Sequence, residues 1–112
     1  MLSPNGWWLV TAPIDLRCGM DRLLVHVRDF LGREPCDGGA YVFRNRTSSR
    51  IKVLCCDAQG TWLAVRRLQQ GCFVWPREDA SVWTVSAQQF GWLCAGVDWR
   101  RLGTQIELAQ RV

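Results

Sequence analysis

Histidine occurs once in this chain, as His26, lysine once, as Lys52, and Asp57 is the lone acid between residues 38 and 77. Acid–base and nucleophilic catalysis rest on a poised base with a partner beside it, and His26 has no identifiable nucleophile for that role. A two-metal nuclease core needs several carboxylates converging on ions ~4 Å apart, which ten scattered acids do not supply. No Cys-x-x-Cys pair offers the spacing of a tetrahedral zinc site, and no glycine-rich phosphate loop is present. No stretch approaches the roughly 20 apolar residues that would span a bilayer. The opening MLSPNGWWLVTAPIDL also lacks the basic start and continuous apolar run of a signal peptide. These absences lead us to expect a non-enzymatic cytoplasmic protein that uses no metal or cofactor, meets no membrane and keeps its thiols mostly free.

What the chain does have is enough material for one domain. Its 112 residues, 48% hydrophobic and 21% charged, suit a single folded unit over residues 1–112. A domain of this size buries roughly 65% of the surface that its unfolded chain exposes, so folding does not require disulfides. The net charge of +4 is unevenly spread. Residues 1–37 hold four Arg against five acids and residues 78–112 three Arg against four acids, a net of −1 each. Residues 38–77 hold six Arg and Lys52 against Asp57, a net of +6. A local excess of this kind points to an acidic partner, nucleic acid first among them.

Pattern places that excess on a small sheet. Trp7 to Thr11 is a short aromatic and β-branched run stopped by Pro13. Met20, Leu23, Leu24, Val27 and Leu31 recur at helical spacing and end at Gly32. Strand-like runs follow over Ala40 to Asn45, Arg50 to Cys56 and Thr61 to Leu68, joined by turns short enough for antiparallel hairpins. Cys72 to Trp75 is expected to add another strand, and Val82 to Val85 a brief extended piece. Ser86 and Gln89 form a capping box for a second helix, whose stripe is Phe90, Leu93, Cys94 and Val97 and whose stop is Gly96. The fold class is therefore α+β: an antiparallel meander of about four to five strands, with one helix before it and one after it.

Strand alternation converts sequence into faces. With Ile51, Val53, Cys55, Leu63 and Val65 on the core side, Arg44, Arg46, Arg50, Lys52 and Arg66 are expected to share an outer face with Trp62. Basic groups around an exposed aromatic suit a phosphate backbone and a stacked base. A charged outer face is equally what half-buried antiparallel sheets show, and Arg blunts edge strands. Charge alone leaves the two readings level. Of the seven Trp, Trp75 and Trp99 are expected at element ends, and Trp7 and Trp8 on opposite sides of one strand, with one of them exposed. Cys55 and Cys56 project to opposite faces, which suits structural thiols.

Five phrases in order, PIDLRCGMDRL (13–23), YVFRNRTSSRIKVL (41–54), DAQGTWL (57–63), RLQQGCFVWP (67–76) and AGVDW (95–99), resemble one family. It is the accessory protein TnpB of the insertion-sequence family sixty-six, distinct from the RNA-guided nuclease of the same name. The resemblance implies a non-catalytic helper of DNA transposition that works beside a large transposase and a second small accessory protein, associated with the nucleoid. Asp15, Arg17 and Gly19 match the family's motif and are expected to contact a partner; Phe43 to Arg46 match its F-R-x-R hairpin. Cys18 stands where members commonly have Lys, and Cys55-Cys56 where they tend to have an aromatic pair. The resulting expectation is DNA, at element ends or target, held by Arg44, Arg46, Arg50, Lys52, Trp62 and Arg66. The alternative is a module that docks the transposase or the other accessory protein without touching DNA. Oligomeric state is left open.

Overall fold

The computed structural model describes Leu2 and residues 4–100. In chain order the elements are β1 (Trp7–Val10), α1 (Met20–Asp29), β2 (Ala40–Arg44), β3 (Arg50–Cys56), β4 (Thr61–Arg67), β5 (Val82–Val85) and α2 (Ala87–Cys94). The five strands form one sheet in the order β4-β3-β2-β1-β5. The expected α+β class holds, with one helix before the meander and one after it. β2, β3 and β4 are the antiparallel meander, and β5 runs antiparallel to β1. β1 and β2 are parallel, because the chain crosses back through α1 between them.

The helices lie on opposite faces of the sheet. α1 sends Leu23 and Val27 against Val10, Tyr41, Phe43 and Leu54. α2 sends Leu93, with Phe90 and Trp92, against Leu9, Val42, Ile51, Val53 and Cys55. Each strand of the centre is thus buried on both sides, and alternation there sorts residues between two cores rather than between core and solvent. Trp7 and Trp8 follow this division: Trp7 stacks on Phe90 at 4.0 Å and Trp8 on Tyr41 at 5.5 Å. Both are half-buried, so the expected exposed member of the pair does not exist.

Local signals stop the helices where the sequence says. Ser86 accepts from the Gln89 amide and the Gln89 side chain accepts from the Ser86 amide, completing the capping box. Gly32 and Gly96 take φ of 64° and 77°, a conformation costly for a residue with Cβ, just beyond α1 and α2. Val97 lies past that turn and is exposed, so it drops out of the expected stripe.

Cys72 to Trp75 is not a strand. Phe73 plugs into the α2-side core and its amide donates to Ser48 O, while the Trp75 indole donates to Val10 O at 2.9 Å. Burial of the Phe73 ring and the indole bond of half-buried Trp75 tie the segment across the end of the sheet instead of along its edge. Trp75 thus closes the end of β1, while Trp99, buried, donates its indole N–H to Val74 O at 2.7 Å and packs on the irregular segment instead. The thiols also need correction: Cys36 and Cys56 form a disulfide, and Cys18, Cys55, Cys72 and Cys94 are free. The pairing became visible only when the turn before β2 came to rest against the end of β3, where the Gly38 amide donates to Cys56 O.

Candidate nucleic-acid interface

Because β1 and β2 are parallel, their carboxyl ends emerge on one edge of the domain. The segment after β1 and the β2–β3 turn therefore meet there. Leu16 is buried and anchors the first of these, and the Ile14 amide donates to Arg44 O across the gap. Asp15 then folds back on Arg17: one carboxylate oxygen accepts the Arg17 amide at 3.0 Å and the other accepts the guanidinium at 2.8 Å. Those hydrogen bonds, first from the Arg17 side chain and then from its backbone, hold the Asp15 carboxyl at about 2. The pair is a clip on the loop surface, with both side chains open to solvent.

Two hollows flank the clip. One, of about 730 Å³, is lined by Asp15, Arg17, Arg22, Val25, His26 and Phe30 among others. The second, of about 420 Å³, runs from Pro13 and Asp15 to Asn45, Arg46 and Thr47. Asp15 belongs to both, so the motif segment and the hairpin tip form one continuous relief. The tip is rigid for its length: Asn45 Oδ1 accepts from the Ser49 and Arg50 amides, and Ser48 takes φ of 57°. Arg46 and Thr47 stand out into solvent from this frame. His26 stacks on Phe30 at the rim of the larger hollow, and burial pushes its pKa down, so the imidazole is neutral at pH 7.

The six residues expected on one face do not share one. Arg44 lies opposite Ile51, and Ile51 opposite Arg66, which puts both arginines on the α2 side with Trp62. Lys52 lies opposite Phe43, and Arg50 opposite Arg67, on the α1 side. Leu63 and Val65, expected in the core, pair with Leu54 and Lys52 and are exposed on the α1 side of β4. The cause is the register. Alternation fixes which residues of one strand share a face, but the pairing fixes how strands are phased, and a shift of one residue exchanges the faces.

Engagement within the fold divides the basic residues further. The Arg44 side chain is only 12% exposed. Its guanidinium donates to Thr11 O at 2.8 and 2.9 Å, to Ser48 Oγ at 3.3 Å and to Glu78 at 2.9 Å. It is a tie between β2, the β1–α1 segment and the loop before β5. We expect Arg44→Ala to lower unfolding stability by about 2 kcal/mol, since it strips donors from a part-buried carbonyl. Glu78→Ala should cost less than about 1 kcal/mol, because Glu78 is largely solvated. Urea unfolding of the two variants measures both. Lys52 Nζ donates to Cys18 O at 3.1 Å and Arg66 to Cys94 O at 2.9 Å. Trp62 is free and 52% exposed.

Arg77, the other arginine of the basic segment, lies in the loop before β5; among the basic residues on the β2–β3–β4 meander, Arg46, Arg50 and Arg67 remain. Among the described residues none of them forms an ion pair. Arg50 and Arg67 face each other directly across β3 and β4. The Leu68 amide bonds to Ser49 O next along, so Arg50 and Arg67 form a non-hydrogen-bonded pair, the closer kind of cross-strand contact. Like charges there repel unless an anion sits between them. Arg67 escaped the sequence reading, although the signal was available: a four-residue turn from Asp57 to Gly60 counts back to Arg50 opposite Arg67. Cys55 and Cys94 carry no reactive thiolate, since burial raises the pKa of both.

Comparison with known proteins adds the context. The chain matches the family model described as IS66 Orf2 like protein over residues 5–104. It is 40% identical over 93 residues to the uncharacterized protein y4hO of Sinorhizobium fredii (strain NBRC 101917 / NGR234), covering 83% of this chain and 81% of that one. It is 32% identical over 94 residues to the uncharacterized protein y4jC of the same organism, covering 84% and 80%. No solved structure matches it.

Proposed function

The chain belongs to the IS66 Orf2 like family, whose role is accessory to transposition, and from that premise we propose that it serves by binding DNA directly. The contact is the edge of the domain where the hairpin tip and the motif segment meet. Arg46, Arg50 and Arg67 engage phosphates, and Arg22 extends the path beside the larger hollow. The observation that carries this reading is the unneutralised Arg50–Arg67 pair beside Arg46. A fold gains nothing from opposing two guanidinium groups, whereas a phosphate between them accepts from both. Arg44, Lys52 and Arg66 act from behind, holding the strands and the motif segment in place through backbone carbonyls.

About four phosphate contacts set the expected salt dependence: a log–log slope of binding constant against salt near −3 to −4. Electrophoretic binding across a salt series, with element-end and random duplexes and with and without the cognate transposase, measures it. A flat dependence would sink direct DNA contact.

A second reading keeps the same edge but makes the occupant the transposase or the other accessory protein. Val25 and Phe30, both exposed beside the Asp15–Arg17 clip, favour it. Capture of the purified partner that survives nuclease treatment and is lost in Phe30→Ala supports this second reading.

A further inference from the structure

The far edge of the sheet is a different surface. β4 is seven residues long, and every one of them is exposed. Trp62, Leu63 and Val65 are 52%, 38% and 57% accessible, a concentration of apolar area on one strand. The opposite edge, β5, has four residues and is largely half-buried. Two hydrogen bonds show how β4 is oriented: the Leu68 amide donates to Ser49 O, and Gly60 O accepts from the Asp57 amide. Even-numbered residues of β4 therefore turn their amides toward β3. Thr61, Leu63, Val65 and Arg67 turn theirs outward, as unpaired donors and acceptors of the kind that recruit another strand.

The order of side chains says which strand fits. Read from either end, TWLAVRR is complementary to itself about Ala64. We propose that this edge pairs with β4 of a second copy of the chain, antiparallel, with the two-fold axis at Ala64. Thr61 then pairs with the partner's Arg67, and Leu63 with the partner's Val65, so all four outward residues on each strand exchange both backbone bonds. On the α1 side Leu63 packs against the partner's Val65, an apolar cross-strand pair repeated by symmetry. On the α2 side Trp62 lies against the partner's Arg66, a cation–π pair that is also made twice. The axis itself needs a small residue, since the two copies of position 64 meet there at the closer, non-hydrogen-bonded spacing; alanine supplies it. Shifting the register by one residue sets odd-numbered residues opposite even-numbered ones. Outward amides would then face inward-turned ones. The symmetric arrangement is an isologous, closed dimer and consumes the edge that would otherwise template aggregation.

Sedimentation equilibrium of the full chain across concentration tests this, together with two variants. Wild type should sediment as a dimer at the upper end of the range. Val65→Pro removes an outward amide without taking a bond from the β3 ladder, so it should be monomeric with an unchanged circular dichroism spectrum. Ala64→Cys in a Cys72→Ser background should cross-link to a covalent dimer on mild oxidation, because Cα atoms about 4.5 Å apart admit a disulfide. A wild-type monomer throughout the range overturns the proposal. So does a Val65→Pro dimer, or a 64-position cysteine that stays uncoupled while the protein is dimeric.

Discussion

Replacing Arg46, Arg50 and Arg67 together by alanine is expected to weaken DNA binding on the order of 100-fold at about 0.1 M salt and to flatten the salt slope by about 3. Each side chain neutralises one phosphate and so releases one condensed counterion on binding; removing three takes three from the exponent. The affinity loss corresponds to about 1 kcal/mol for each contact, below the roughly 1.5–3 kcal/mol of a hydrogen bond to a charged group because these contacts stay open to solvent and salt. Stability should move the other way. Arg50 and Arg67 repel across β3 and β4 in the free protein, so relieving that pair should raise unfolding stability by about 0.5 kcal/mol. The combination of weaker binding with firmer folding separates a contact surface from a structural one. Arg44→Ala, in which a structural tie is cut, should show loss of stability first. Unchanged affinity in the triple variant sinks direct contact through this edge and leaves the partner-docking reading standing.

The second large effect concerns the Cys36–Cys56 bond, which closes a loop of 20 residues in sequence and ties the turn before β2 to the end of β3. Cross-linking a loop of that length removes unfolded-state freedom worth about 3 kcal/mol. In a domain of this size that is roughly 10–15 °C in Tm. Differential scanning calorimetry of the oxidised protein, with and without reductant, should show that drop. The Cys36→Ser, Cys56→Ser double variant should melt at the lower temperature in both conditions. The fold itself should survive, because the two cores on either side of the sheet owe nothing to this bond: Cys56 is at the end of β3 and the central strands are packed by α1 and α2. A double variant that melts with the oxidised wild type overturns the assignment of stability to this bond. Where the surroundings are reducing, the domain works with the lower of the two stabilities.

Both effects bear on how much could be read from residues alone. The helices were legible because their signals are local: a 3.6-residue apolar stripe, a capping box at Ser86 and Gln89, glycines at the C-terminal stops. The hairpins were legible for the same reason, since turns of four residues between β-rich runs need no knowledge of the rest of the chain. The misread strand at Cys72 to Trp75 had β-like composition, but Phe73 and Trp75 spend it on burial and an indole bond rather than on a ladder. The disulfide was out of reach because Cys36 and Cys56 meet only through the sheet.

The candidate site shows the same boundary more sharply. Sequence by itself determined that the basic excess lies between residues 38 and 77 and that a hairpin carries much of it. Tertiary structure alone decided which of those charges are free. The parallel pairing of β1 and β2 brought the motif segment beside Arg46, and helices on both faces removed the open outer face that alternation had implied. The register then set Arg50 against Arg67 and sent Arg44 into a web of backbone and side-chain bonds. Alternation has a period of two and is written along one strand; the phase between strands depends on contacts that residues distant in sequence make only once the chain has folded.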